Sequence, residues 1–372
     1  MKIKNDYNEC LTNLACSIAK YFGASYKHST IDYIDKLLDD KKPKNVVTIL
    51  FDGMGSALLD EHLSKDAFFV RNRIKSISTV FPATTVAATT SMRTGLNPCE
   101  TGMLGWTMYF DECDDVIVTF AQSSKEDDEY KVLESAKSYV SKYLTYKEVT
   151  DRINEETSYK GYKVTPFDDD RYNDLDDMFS KIDNLCNQDG KKYIYAYSDE
   201  PDHTLHDVGT DSVQIKDIIL NMQDRVNTLA EKLSDTLIFV VADHGHLNSE
   251  NIFLDDYQDF LECLERLPSI EPRTTAFFVR DGMKKEFETL FEKYFSDYFY
   301  LYTKQEVIDM KLFGDGEENK KFRSELGDYL AISFTKKAFI YKGDCPLKSQ
   351  HAGYSDEEVY VPLIVIDADE VK

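Results

Sequence analysis

Residues 192–246 read KYIYAYSDEPDHTLHDVGTDSVQIKDIILNMQDRVNTLAEKLSDTLIFVVADHGH. Two short apolar and β-branched runs, 192–198 and 236–242, flank a stretch in which Ile215, Ile218, Met222, Val226, Leu229 and Leu233 recur every three to four residues. Strand, helix, strand is a βαβ unit, and such a unit implies a parallel sheet. Outward from it, 46–51 (VVTILF) and 360–366 (YVPLIVI) are runs of the same kind. Continuous apolar strands are expected where helices cover both faces of a sheet. The first three of the four strands end in chemically useful residues: Asp52; Asp199, Glu200 and Asp202; Asp243 and His244. Ligands of open α/β sheets bind beyond the carboxyl ends of the strands, so these residues should converge. The expected fold is a three-layer α/β domain with a mostly parallel central sheet.

Two stretches fit the central layer less well. Residues 107–190 are polar, acidic and tyrosine-rich, with helical patterns near 130–149 and 174–186. Residues 268–335 read as strand (TTAFFV), helix (MKKEFETLFEKYF), strand (FYLYT), helix (KQEVIDM) and a return through GDYLAISF. This predicts a small α+β module at 268–335, inserted into a catalytic domain of 1–267 plus 336–372. The acidic runs Asp168–Asp170 and Asp174–Asp177 lack the glycine of an EF-hand loop and read as a solvated surface.

Composition narrows the function. With 42 % hydrophobic and 30 % charged residues, the 372-residue chain is an ordinary globular protein. Its 68 acidic against 44 basic residues give −24, which argues against a nucleic-acid polymer as partner. A small phosphorylated substrate remains compatible, because bound divalent cations invert the field at one pocket. The seven cysteines are scattered and never form CxxC, as expected for thiols in a reducing compartment. Residues 9–22 (ECLTNLACSIAKYF) space their apolar side chains like one helix face and contain no secretory apolar core. No apolar run reaches membrane-spanning length. These features predict a cytoplasmic protein that does not enter a membrane.

Five of the seven histidines (His203, His206, His244, His246 and His351) lie at acidic or glycine-flanked strand ends. Asp202 and His206, at i and i+4, share one side of a helical turn, as a chelate requires. Asp243 precedes His244, and His351 opens HAGYSD. Carboxylates and imidazoles together suit zinc and other borderline divalent metals. The stretch 81–95 (FPATTVAATTSMRTG) places Thr84 or Thr85 at a helix start after Pro82. There a phosphoryl oxygen meets free backbone N–H groups and the positive end of the helix dipole. The same position also suits a threonine that only caps the helix.

Taken in order, four motifs resemble the alkaline phosphatase superfamily, and within it the type I phosphodiesterase/nucleotide pyrophosphatase branch. They are ILFDGMG with Asp52, the threonine upstream of TGLNP, EPDHTLHDVG, and the pair VADHGH and QHAGYSDEEVYVPLIV. The resemblance implies one metal site at Asp202, His206 and His351, and another at Asp52, Asp243 and His244. Its register selects Thr85 as the nucleophile. It also implies a phosphothreonine intermediate and two ions ~4 Å apart. Zinc is the first expectation for both, with manganese or magnesium also compatible with the carboxylates. His203 and His246 are expected to give at most a hydrogen bond that orients a ligand.

One departure stands out: where nucleotide pyrophosphatases carry a phosphate-binding asparagine, the register lands on Trp106, a candidate substrate contact. Arg93 and Arg273 read as surface salt bridges. The implied activity is a metal-dependent phosphodiesterase. Phosphomonoesterase, phosphonate hydrolase and sugar-phosphate mutase remain as alternatives, and a non-catalytic metal-binding protein as one from a different class. Sulfatase chemistry is disfavoured, because Thr85 stands where those enzymes modify Cys or Ser.

Overall fold

A computed structural model describes residues 6–127, 129–167, 171–341 and 343–371. Asp168–Asp170, one of the two acidic runs, lies outside the described residues. The four apolar runs all become strands of one six-stranded sheet, Asn45–Phe51, Lys192–Ser198, Thr236–Val241 and Tyr360–Asp367, joined by Arg73–Ser78 and Lys160–Val164. Across the sheet the order is Arg73–Ser78, Tyr360–Asp367, Thr236–Val241, Asn45–Phe51, Lys192–Ser198, Lys160–Val164. The four strands from Thr236–Val241 to Lys160–Val164 run parallel. Tyr360–Asp367 is antiparallel to both its neighbours, a direction that an apolar run does not encode.

Every residue of Asn45–Phe51, Lys192–Ser198 and Thr236–Val241 is buried. Side chains alternate between the faces of a strand, so both faces must be covered. On one side, the helices Leu11–Phe22, Asp32–Lys41, Thr85–Thr94 and Val149–Glu156 pack on one another. A second set comprises Leu175–Cys186, Phe68–Asn72, Ala368–Val371 and the crossover helix Val213–Lys232. The crossover helix buries Ile215, Met222, Val226 and Leu229 of the expected stripe, while Ile219 takes the inward place expected for the half-buried Ile218, and Ser212 caps its first turn. The two ends of the βαβ unit are not adjacent. Asn45–Phe51 lies between them, which sets three strand ends, and so Asp52, Asp243 and the Asp199–Asp202 turn, along one rim.

The elements expected within 268–335 form at Thr274–Phe277, Lys284–Phe295, Phe299–Thr303, Lys304–Asp309 and Tyr329–Ser333. They do not make a sheet alone. The second sheet has seven strands and continues through Ser269–Ile270 into Thr107–Phe110, Asp115–Val118 and Ser123–Ser124, taken from the acidic 107–190 stretch. The cross-link runs through Ile270 pairing with Thr107. A phenylalanine cluster (Phe260, Phe277, Phe287, Phe291, Phe295, Phe339) forms one of its cores. Between the two strands Ser269–Ile270 and Thr274–Phe277 sits Glu271, which this sheet delivers to the rim of the first.

Candidate active site

The rim gathers two groups of ligating side chains. Asp202, His206, His246 and His351 each bring a ligand atom within 4.8 Å of the others, and Asp52, Asp243 and His244 do the same. All six sequence-derived ligands therefore converge, and His246 joins them. His203 is exposed and belongs to neither group, as its place on the helical turn predicted.

Backbone geometry brings them together. The Asp52 N–H donates to Ser198 O at 2.9 Å and the Asp202 N–H to Asp52 O at 3.1 Å, which ties two strand ends to each other. Gly53 adopts a left-handed φ of 72°, and a Cβ there would meet Asp202 at 3.1 Å and the His246 ring at 3.0 Å. Gly245 has a tighter constraint: its Cβ would stand 2.0 Å from the carbonyl oxygen of Glu357. Only glycine fits between His244 and His246 at that approach.

Each imidazole is anchored through Nδ1. His206 donates to Ser349 O at 2.8 Å, His351 to Ala83 O at 3.2 Å and His244 to Gly245 O at 3.2 Å. A carbonyl can only accept, so Nδ1 carries the proton and Nε2 is left with a lone pair. For His246 the partner is Ser349 Oγ at 3.1 Å, whose own proton goes to Leu205 O at 2.6 Å, so the same tautomer results.

The Nε2 atoms all face carboxylates. His246 Nε2 lies 2.5 Å from Asp202 Oδ1, His206 Nε2 3.5 Å from Asp202 Oδ2 and His351 Nε2 3.9 Å from Asp202 Oδ1. His244 Nε2 is 3.2 Å from Asp52 Oδ1 and 3.6 Å from Asp243 Oδ2. Lone pairs set against carboxylate oxygens repel one another unless a proton or a cation is shared between them, and at 2.5 Å the His246–Asp202 contact has room only for a proton. Asp243 Oδ2 is moreover a buried acceptor with no hydrogen-bond donor. A bare buried carboxylate oxygen costs several kcal/mol unless paired or coordinated, so the donor set fits divalent cations.

Titration behaviour follows from the same crowding. Burial, then the neighbouring Asp202, pushes the Asp52 carboxyl well above its usual range; burial and Asp52 do the same to Asp243. Burial also acts upward on Asp202, but His206, His246 and His351 together outweigh it and hold Asp202 well below. Burial pushes His246 down to about 4 and, with His244, lowers His351. These two rings are neutral near pH 7, as metal ligands must be.

Thr85 is the first residue of the helix Thr85–Thr94. Its hydroxyl lies 3.1 Å from His244 Nε2 and 3.5 Å from Asp52 Oδ1, against the second ligand group. Thr84 is the N-cap residue, yet its side chain makes no cap hydrogen bond. The expected capping role is thus not what its hydroxyl does. It donates instead to Glu271 Oε1 at 2.5 Å, and the same oxygen accepts the Trp106 backbone N–H at 2.7 Å. Sequence reading passed over Glu271, which is 4 % exposed; burial raises its carboxyl to about 7.

Thr85 opens into a cavity of about 560 Å³ lined by Asp52, Thr85, Asp202, Trp106, Phe120 and Phe167 among others. Trp106 is half-exposed at its mouth, with its indole edge-to-face on Phe120 at 6.5 Å between centroids. Both arginines form the expected salt bridges, but with buried glutamates and not at the surface. Arg93 turns into this cavity and pairs with the buried Glu148. Arg273 is fully buried, bonded to Glu358 at 2.7 and 2.9 Å and to the carbonyls of Thr335 and Lys337 at 2.9 Å.

The model of the type I phosphodiesterase / nucleotide pyrophosphatase family matches residues 46–331. Among solved structures, murine ectonucleotide pyrophosphatase/phosphodiesterase 5 superposes with a TM-score of 0.65 at 17 % identity, over 86 % of this chain and 87 % of that one. An inactive variant of the murine protein in complex with AMP gives 0.64 at 16 % identity, over 86 % and 87 %. The human protein of the same name gives 0.65 at 16 %, with the same coverage. No curated protein matches the chain by sequence. At these identities the superpositions establish the fold, while the family match spans well over half of the sequence and takes in Asp52, Thr85, Asp202, His206, Asp243 and His244. The chain belongs to the type I phosphodiesterase/nucleotide pyrophosphatase family and is a phosphodiesterase-type hydrolase.

Proposed function

We propose that this enzyme hydrolyses small phosphodiesters through a phosphothreonine formed on Thr85, at a site holding two divalent ions. The observation that carries the reading is the place of the Thr85 hydroxyl, between His244 Nε2 and Asp52 Oδ1 at the head of a helix and open to the cavity. Asp202, His206 and His351, with His246 in contact, would hold one ion, and Asp52, Asp243 and His244 the other. Ions held there would supply Lewis-acid stabilisation of charge developing on the phosphoryl group.

The chain's own residues do the rest. As the first helical residue, Thr85 has an N–H without an intrahelical acceptor, and the helix dipole favours a phosphoryl oxygen beside it. Tyr197 donates its hydroxyl to Asp52 Oδ2 at 2.5 Å, which leaves Oδ1 to face Thr85. The Asp243 Oδ1 atom is held by the N–H groups of Gly53 at 3.0 Å and His244 at 2.9 Å, which directs Oδ2 inward. Attack by Thr85 on phosphorus expels the first alcohol; water then cleaves the phosphothreonine and releases the monoester. Three imidazoles with one carboxylate favour zinc at the Asp202 group, and two carboxylates at the other admit manganese or magnesium.

The substrate is a small molecule. No helix among the described residues is long and apolar enough to cross a membrane. All seven cysteines are unpaired, which supports a reducing compartment such as the cytoplasm. The test is metal analysis followed by parallel assays on p-nitrophenyl phosphate, bis-p-nitrophenyl phosphate and p-nitrophenyl phenylphosphonate. The diester should be the best of the three. Faster turnover of the monoester, or of the phosphonate, would overturn the diesterase reading, and full activity after exhaustive chelation would overturn the metal reading.

A further inference from the structure

The cavity continues past Thr85. Thr85, Thr89 and Arg93, at i, i+4 and i+8, form one stripe of the helix, and all three line it. Opposite them stand Tyr195 and Tyr197 on Lys192–Ser198, and Thr165 beside the end of Lys160–Val164. The register Lys163↔Tyr195 sets Lys163 next to Tyr195 on the same face of the sheet. Trp106, Phe120 and Phe167 are 42, 41 and 76 % exposed and mark the mouth, whereas Tyr195 is 2 % exposed and marks the inner end.

Two donors at that inner end have no partner. Arg93 Nε and the Tyr195 hydroxyl are both buried and make no hydrogen bond in the protein. Each unpaired buried donor costs roughly 1–3 kcal/mol, so such groups call for an explanation. One terminal nitrogen of Arg93, Nη2, donates to Glu148 Oε1, and Lys163 Nζ stands 3.5 Å from Glu148 Oε2. Arg93 and Lys163 thus face the same carboxylate, and Arg93 keeps its charged Nε–H for a further acceptor. The same cavity is also lined by the carboxylates Asp52, Asp199 and Asp202. Burial holds the Tyr195 phenol well above its ordinary range, so it remains a neutral donor.

We propose that the inner end is a second anion subsite: with the phosphoryl group at Thr85, Arg93 Nε–H and the Tyr195 hydroxyl receive a carboxylate or phosphate carried by the group esterified to it. This rests on Thr85 marking the phosphoryl position. Eight residues of helix advance ~12 Å, and the Arg93 side chain leans back toward the N-terminus, so the two anionic groups of the substrate stand roughly 6–10 Å apart. The substrate class is therefore a phosphodiester with a second anionic oxygen group at that distance, and not a plain alkyl or aryl diester.

Non-hydrolysable probes separate this from the catalytic reading. Calorimetry on the metal-loaded enzyme compares ω-phosphonocarboxylates from 3-phosphonopropionate to 6-phosphonohexanoate, α,ω-alkane bisphosphonates of the same lengths, and alkylphosphonates. All share the phosphonate end, so differences report the far end alone. At one chain length or more, a second anion should tighten binding about tenfold or better, as a charge-assisted hydrogen bond would. Whichever arm gains more, carboxylate or bisphosphonate, identifies the group. Arg93→Gln and Tyr195→Phe should each abolish most of that gain while the alkylphosphonate Kd serves as reference. Should Arg93→Gln unfold by leaving Glu148 short of a partner, Tyr195→Phe, which keeps the ring, decides. A second anion worth less than twofold at every length, or a gain that survives Tyr195→Phe, overturns the subsite. Failure to turn over any phosphodiester, with or without a second anionic group, would instead overturn the diesterase reading and leave these binding differences standing.

Discussion

The hydroxyls of Thr84 and Thr85, neighbours in sequence, face different carboxylates: Thr84 Oγ1 donates to Glu271 at 2.5 Å, and Thr85 Oγ1 stands 3.5 Å from Asp52 and 3.1 Å from His244 Nε2. A helix start turns successive side chains by about 100°, which separates a residue in the reaction from one that supports it. Thr85→Ala should lower kcat/KM on the best diester by roughly 10³-fold or more with metal content unchanged, and Thr85→Ser should restore part of it. Thr84→Ala should keep the covalent chemistry and lose about 1–3 kcal/mol of stability, because Glu271 gives up a donor. Trapping the phosphoenzyme by mass spectrometry after acid quench checks the order. A dead Thr84→Ala beside an active Thr85→Ala would move the nucleophile by one residue.

His246 supplies a second test, through metal affinity. Its Nε2 is 2.5 Å from Asp202 Oδ1 and its Nδ1 is fixed by Ser349, so the ring either orients Asp202 or ligates beside it. Loss of such a partner weakens metal binding about 10–100-fold. His246→Ala should show that loss for one of the two ions, read by competition against a chromophoric chelator. His203→Ala should show none, because its side chain is exposed and outside both ligand groups. Equal affinities in the wild type and His246→Ala would remove His246 from the site.

Much of this arrangement was legible in the sequence, for a physical reason. A strand that ends in Asp or Asp-His fixes both the position and the direction of those side chains, so Asp52, Asp243 and His244 could be placed from local pattern alone. The i, i+4 spacing did the same for Asp202 and His206. What escaped depends on the approach of segments far apart in sequence. Glu271 reaches Thr84 only because Ile270 pairs with Thr107 and carries the second sheet across to the first. The antiparallel course of Tyr360–Asp367 is likewise absent from its apolar run. Arg93 and Arg273 read as surface charges because arginine is rarely buried unless paired, and Glu148 and Glu358, 55 and 85 positions away, are not visible locally. The GDYLAISF return of the 268–335 stretch was read correctly, but nothing in it announces the strands of 107–124 as partners.

Arg273 and Glu358 form a buried pair with fully enclosed side chains. Removing one member of such a pair costs about 3–5 kcal/mol, since the other charge is left without compensation. Arg273→Met should therefore lower stability by that order in urea titrations, and the double variant with Glu358→Met should cost less than the sum of the two single changes. Additive costs would show that the two side chains contribute independently. Glu358 also accepts the Gly353 N–H at 2.7 Å, in the turn just after His351, so metal affinity should fall in Glu358→Met as well.

The pH dependence of stability gives the last test. Burial raises the Glu271 carboxyl from an ordinary 4.5 to about 7, despite the donors Thr84 and Trp106. The folded protein then holds a proton on Glu271 between pH 4.5 and 7 that the unfolded chain has released. With more protons bound in the native state, stability falls as pH rises across that window, by on the order of 3 kcal/mol in total, and levels off above it. Glu271→Gln keeps an acceptor oxygen for Thr84 and the Trp106 N–H but cannot ionise. It should flatten this part of the profile and gain most, relative to wild type, at pH 7–8. Urea midpoints for both proteins at half-unit steps from pH 4.5 to 8, with metals removed by chelation so that ligand protonation is common to both, isolate the difference. Parallel profiles would mean that Glu271 is ionised throughout, with the negative charge stabilised where it stands. In that case its two hydrogen bonds, and not burial, control the group that positions the Thr84 hydroxyl beside the nucleophile.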